Sequence, residues 1–387
     1  MEQTGTMEND SLLMVIPWDS ESDSGSERLD LVLKFVETVE VMPRNIRLHR
    51  VHTAEEFQSF LQEQKPASDP KSLRPVLFAV RLGNDGVNIE YARILRLLRR
   101  EPHLLEGYIG GVITDADSEL YTKSTATELV LAANQSGCAF VGKPLVEGTG
   151  SLDNFRVAAK NLGTADYLEA YRVSARKLLQ SILDFRGYAV PEPSLLCLHA
   201  SSHKTSNTFS LWRDVRDRLT HTTCSEIGLR NGTLYDCSGC PYQMCLHYGE
   251  KDSCFYGGVM VENVYPAIRE SNAILMVCPN YNDALSANLT GFINRLTALY
   301  RKRQFYDKAL FAIIVSGYSG GDNIARQLIA ALNMNKNFYL PAHFCIMETA
   351  NDPGTAEKLP GIRNRVEEFA ARIEKTLVSE SRHSNSG

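Results

Sequence analysis

The chain has 387 residues, 43% of them hydrophobic and 22% charged, enough to bury a sizeable core in two or three domains. A formal net charge of −5 and a pI near 6.0 leave no basic footprint for nucleic acid or an anionic membrane, so small ligands are the expected partners. The opening MEQTGTMENDSLL lacks the basic and apolar regions of a secretory leader. The most apolar runs also fall short of the roughly 20 residues that span a bilayer, so a cytoplasmic protein without a membrane partner is expected.

After an N-terminus expected to be disordered (1–10), short β-branched and apolar runs alternate with helical patterns, which is the pattern of βαβ units around a parallel sheet. Strands are predicted at Leu12–Pro17, Pro75–Val80, Tyr108–Thr114 and Cys138–Gly142, and the helix RVSARKLLQSILDF closes a first domain, 11–186. The segment Asp115–Glu128 is polar enough for a separate site, and helix capping accounts for it equally well. GYAVPEPS, 187–194, has the glycine and prolines of a linker. The plan then repeats in a second domain, 195–375. Strands are predicted at Leu195–Ala200, Ala273–Pro279, Phe311–Gly317 and His343–Met347. Helices are marked by Leu211, Val215 and Leu219, by Leu289, Phe292, Ile293, Leu296 and Tyr300, and by IARQLIAAL. The tail, 376–387, is expected to be disordered.

The fold class expected is α/β, two doubly wound parallel-sheet domains in tandem. From Leu12 to Val76 is 64 positions, whereas Leu195 to Ile274 is 79, so the second copy carries an insertion, assigned to 237–254.

In open α/β sheets ligands bind at the carboxyl ends of strands. The segment after Leu195–Ala200 offers Ser201, His203, Lys204, Ser206, Asn207 and Thr208 ahead of a helix N-terminus, a combination suited to phosphate and also to an ordinary capped turn. The segments after the next two strands are Pro279, Asn280, Tyr281 and Asn282, and Ser316, Gly317, Tyr318, Ser319, Gly320 and Gly321.

Ala200–Thr208, read as A-S-S-H-K-T-S-N-T, resembles the G-S-x-R-x-x-x-N-T loop of the NADPH-dependent FMN reductase family, with Ala200 for its glycine and His203 at its arginine position. Pro279–Asn282 is similar to that family's P-x-Y segment beside the flavin ring, and Ser316–Gly321 to its glycine-rich segment. The resemblance covers residues 195–350 and implies a flavodoxin-like fold, FMN as cofactor and NAD(P)H as substrate. It assigns FMN contacts to all of these residues except Tyr318. A nicotinamide Rossmann site fits less well, since the only partial fingerprint, Gly148 and Gly150, has Asp153 at its third position. The first half carries Asp19, Glu21, Asp23 and Glu27 where a phosphate loop belongs, and reads as a degenerate copy.

Nine cysteines, an odd number, are unlike a disulfide framework. Cys237, Cys240, Cys245 and Cys254 follow C-x2-C-x4-C-x8-C, suited to an iron–sulfur cluster, to tetrahedral zinc with His247 as an alternative ligand, or to metal-free thiols. The module resembles that of the iron–sulfur flavoproteins, which implies a 4Fe-4S cluster. Their second spacing is two residues, and here it is four. Cys197, Cys224, Cys278 and Cys345 read as core residues.

The expected function is an NAD(P)H-dependent FMN oxidoreductase. The flavin takes a hydride from the nicotinamide and passes electrons, directly or through a cluster, to a small-molecule or protein acceptor. The chemistry belongs to the cofactor, so no catalytic acid or base is assigned. The alternative is a non-catalytic flavin electron carrier or redox or metal sensor. Reductases of this kind usually pair, so a homo-oligomer is also compatible.

Overall fold

A computed structural model describes residues 11–19, 27–38, 46–64, 73–201, 206–230 and 232–379. The contacts divide the chain between Gly187 and Tyr188 into two units, each with a five-stranded parallel sheet.

In the first unit β1 (Ser11–Val15), β2 (Arg47–Val51), β3 (Arg74–Leu82), β4 (Tyr108–Ala116) and β5 (Cys138–Gly148) take the order β2-β1-β3-β4-β5. The helices are α1 (Arg28–Val36), α2 (Ala54–Glu63), α3 (Ile89–Arg100), α4 (Thr122–Gln135), α5 (Arg156–Leu162) and α6 (Tyr167–Leu183). In the second, β6 (Ser194–His199), β7 (Thr223–Gly228), β8 (Ala273–Pro279), β9 (Ala309–Ser316) and β10 (Cys345–Thr349) take the order β10-β9-β8-β6-β7. Numbered within each unit, both sheets are 2-1-3-4-5, the flavodoxin-like doubly wound order. The second unit's helices are α7 (Asn207–Arg216), α8 (Tyr242–Gly249), α9 (Tyr265–Glu270), α10 (Ala287–Tyr300), α11 (Gly321–Leu328) and α12 (Ile362–Leu377).

Every residue of β8 and β9 is buried, because helices cover both faces of the sheet. This makes central strands legible as continuous apolar runs. The two strands not predicted, β2 and β7, are edge strands: only Val51 of β2 is buried and no residue of β7 is. RLHRV and TCSEIG therefore lack the apolar signal, and charged edges also discourage pairing with another chain.

Helix α7 begins at Ser206, whose hydroxyl accepts from Phe209 N at 3.2 Å, and ends before Leu219. The polar segment 115–128 is not explained by capping: α4 has no side-chain cap, and Asp115 lies buried at the end of β4. The expected linker and tail meet, since Val190 bridges Val378 and α12 continues to Leu377. The calls on 1–10 and 380–387 lie outside the described residues, as do Glu21 and Asp23. Among the described residues no helix is long and apolar enough to cross a membrane.

Candidate functional site

Strand register sets which loops meet at the carboxyl edge of the second sheet. His199 of β6 lies beside Val277 of β8, Pro279 beside Val315 of β9, and Ser316 beside Thr349 of β10. The segments that follow these strands therefore emerge side by side, next to the β6/β8 switch point where a doubly wound sheet binds its ligand.

Asn280 ties two of them together: its Nδ2 donates to Ser316 Oγ at 3.1 Å and to Ser319 O at 2.8 Å. Gly320 caps α11 at φ +83°, and a Cβ there would lie on Asp283 Oδ1, so this turn admits no side chain. Asn282 and Asp283 also hold positive φ, which sharpens the turn that leaves Tyr281 60% exposed. Asn207 links the first and fourth segments, donating to Ala350 O at 3.1 Å and Asp352 O at 2.8 Å and accepting from Ala356 N at 3.4 Å. Its amide is thereby committed to the loop after β10. Thr208 is buried, Gly317 follows β9 and Gly321 opens α11. His203 and Lys204 lie outside the described residues.

Three buried polar atoms at this edge have no hydrogen-bond partner: Ser201 Oγ, Asn280 Oδ1 and Ser286 Oγ, the last at the head of α10. Buried polar groups are normally satisfied within the protein, so orphans gathered where loops converge fit a polar ligand that completes them. Two hydroxyls that can donate and an amide oxygen that accepts, beside helix N-termini, suit the phosphate and the polar edge of FMN.

A second site lies along α10. Cys237, Cys240, Cys245 and Cys254 line one cavity of about 330 Å³. Gly249 lets α8, which carries Cys245, approach α10: a Cβ there would stand 2.4 Å from Ala298 O. Asn294 Nδ2 donates to Asp236 Oδ1 at 3.0 Å, holding the residue before Cys237. Tyr248, Phe255 and Tyr256 form an edge-to-face aromatic row, with centroids 5.7 and 5.2 Å apart, along one wall. Burial pushes the Tyr265 hydroxyl well above its usual range, and it donates to Arg295 O at 2.6 Å.

Among the described residues no three of the cysteine sulfurs lie within 4.8 Å of one another. Four thiolates on one tetrahedral zinc at roughly 2.3 Å would stand about 3.8 Å apart. The four thiols line the cavity without converging on a single-ion geometry. His247 does not line the cavity; it is exposed, with Nε2 3.1 Å from Lys251 Nζ.

Residues 193–352 match the family model of the NADPH-dependent FMN reductases. The match lies within the C-terminal unit and spans less than half of the chain. Solved structures similar to the chain include RosB with a bound 8-demethyl-8-formylriboflavin-5'-phosphate intermediate, at 12% identity over 47% of this chain and 80% of that one, TM-score 0.36. An FMN-dependent NADH-azoreductase from Bacillus anthracis in complex with FMN is 12% identical over 47% and 99%, TM-score 0.33. An NAD(P)H:quinone oxidoreductase from Methanothermobacter marburgensis is 13% identical over 47% and 96%, TM-score 0.35. No match is found among curated proteins.

The C-terminal unit and the N-terminal unit share a sheet order but differ at the carboxyl edge. The corresponding cavity of the first unit, about 480 Å³, is lined by Trp18, Arg50, His52 and Arg81 together with Asp30 and Glu37. Arg81 pairs with Asp30 at 3.2 Å, and Arg50 donates to Glu37 at 3.0 Å. Asp19 accepts from Ile89 N at 2.7 Å. Arg81, Arg50 and Asp19 thus have partners within the unit. In the C-terminal unit, sequence reasoning missed the buried Arg295 beside the cysteines and the loop after β10 that Asn207 grips. A cation among the apolar positions of α10 was the available signal for Arg295; the loop contact left none.

Proposed function

We propose that the C-terminal unit binds one FMN at the β6/β8 edge and oxidises a reduced nicotinamide, with the cysteine module holding an iron–sulfur cluster that relays electrons to a small-molecule or protein acceptor. The observation that carries the reading is the meeting of the segments after β6, β8 and β9 around the unpartnered Ser201, Asn280 and Ser286 atoms. Ser201, Ser206 and Thr208, with His203 and Lys204, would hold the phosphate at the head of α7. Pro279–Asn282 would flank the ring, with Ser316–Gly321 presenting backbone to its polar edge. When bound, FMN supplies hydride acceptance from the nicotinamide and release of the two electrons singly or in pairs. The chain's own contribution is to bind, orient and shield the cofactor. Asn280 holds two of the loops in one geometry, and exposed Tyr281 stands at the rim where a nicotinamide would enter.

Protein purified without oxygen should release FMN, and no FAD, at about one equivalent per chain, and NADH or NADPH should bleach the flavin band. Two flavins per chain, or none after incubation with excess FMN, would refute the site. Bound flavin that neither nicotinamide bleaches would leave an electron carrier in place of an oxidoreductase.

A further inference from the structure

We propose that Arg295 is the built-in counter-cation of an anionic thiolate centre formed by Cys237, Cys240, Cys245 and Cys254, a role that rests on the cysteine module holding a metal centre. Arg295 is 2% exposed and among the largest fully buried side chains of the protein. It lines the same cavity as the four cysteines. Its hydrogen bonds run to neutral carbonyls, Nη2 to Gly257 O at 2.7 Å and Nη1 to Tyr235 O at 3.4 Å, and its buried Nε has no partner. Among the described residues no carboxylate reaches it.

A guanidinium stays charged at any accessible pH, so Arg295 cannot escape its burial by losing a proton. Buried charges persist where an opposite charge answers them. The cavity that Arg295 lines also carries four thiols, and four thiolates around a metal give a centre of net negative charge whether the occupant is an iron–sulfur cluster or zinc. The geometry supplies a second role. Tyr235 precedes the first cysteine and Gly257 follows the last, so one side chain on α10 clasps both ends of the module. Charge and clasp are separable by substitution: Arg295→Lys keeps the charge and loses the fork, whereas Arg295→Met loses both while keeping most of the volume.

The test uses the full chain, isolated without oxygen, with iron, sulfide and zinc assayed and the cluster potential followed by EPR during a redox titration. A nearby positive charge favours the more negative, reduced centre, so Arg295→Met should shift the potential to more negative values, and Arg295→Lys should stay near the parent. If Arg295→Met cannot retain the cluster, retention in Arg295→Lys supports the charge role, and loss in both variants overturns it in favour of the clasp alone. Equal potentials in all three proteins at full cluster content also overturn it. Should the parent hold zinc, the readout is the rate of zinc release to a chromogenic chelator, expected to rise in Arg295→Met and not in Arg295→Lys; equal rates overturn the proposal. A parent protein with neither iron nor zinc refutes the metal reading itself, an outcome distinct from a loaded centre indifferent to Arg295.

Discussion

Asp115 shows how the first unit closes the edge that the second leaves open. Its carboxylate receives Arg28 on both oxygens, at 3.0 Å from Nε and 2.9 Å from Nη2. Burial lifts the Asp115 carboxyl above its usual range although Arg28 pulls it back. Burial also works against the Arg28 guanidinium, yet the hydrogen bond and charge of Asp115 hold it above its ordinary value. These two shifts point opposite ways for the strength of one pair; the two-pronged contact argues for an ionised pair. Removing one partner strands the other, so Asp115→Ala should cost about 3–5 kcal/mol, read as a lower denaturant midpoint for the first unit. Flavin content should stay at the parent value, since the proposed FMN contacts all lie beyond residue 187. At this scale the sequence was legible in placement: the four cysteines line one cavity, and Gly320 takes the positive φ that its turn requires. Asn207 and Arg295 were not, because their roles depend on carbonyls of Ala350, Asp352, Tyr235 and Gly257 that only the tertiary fold brings near.

Among the elements, α10 has the most to do. Its head follows the proposed ring loop, where Asn288 Nδ2 donates to Leu229 O at 2.6 Å and Leu229 N in turn donates to His199 O at 2.7 Å. Farther along, Asn294, Arg295 and Ala298 organise the cysteine module. A valine at Gly249 would press on the Ala298 carbonyl and part α8 from α10, at about 1–3 kcal/mol for overpacking. On the proposed reading, Gly249→Val should therefore lower the metal content while keeping FMN, measured by metal assay and flavin absorbance on one sample; retention of both would show that the α8–α10 contact is dispensable to the module. The strands were read well where they carry apolar runs, the edge strands β5 and β10 included, and missed at the edge strands β2 and β7. β2 and β7 have little apolar surface to announce them, and their existence follows only from the backbone groups that β1 and β6 offer.

At the scale of the molecule, two doubly wound parallel-sheet units were legible from the alternation of apolar runs and helices, while the five-strand order was not, since β2 and β7 went unread; the unequal spacing between strands pointed to added length in the second unit. The excess lies between β7 and β8, where the second unit adds α8 and a π-helical turn, Met260–Val264, running into α9. What the spacing could not carry was the closure of the linker onto the tail through Val190 and Val378, a pairing nearly the length of the unit. All proposed FMN contacts, and that closing pair, fall after Gly187. A fragment spanning 188–387 should accordingly fold and take up FMN at the parent stoichiometry. A well-folded fragment that binds no FMN would show that the first unit supplies part of the site.

The continuity of α10 also has a kinetic meaning. Ser286, at its head, and Asn294, at the cysteines, are joined by unbroken helix, roughly 12 Å apart at the α-helical rise. On the proposed reading, flavin and cluster would flank one rod with a fixed separation, with no hinge between them and no swinging arm to carry charge across. Exchange between them would then be set by distance, driving force and reorganisation energy, so thickening the solvent should slow the arrival of nicotinamide and acceptor and leave the internal transfer untouched.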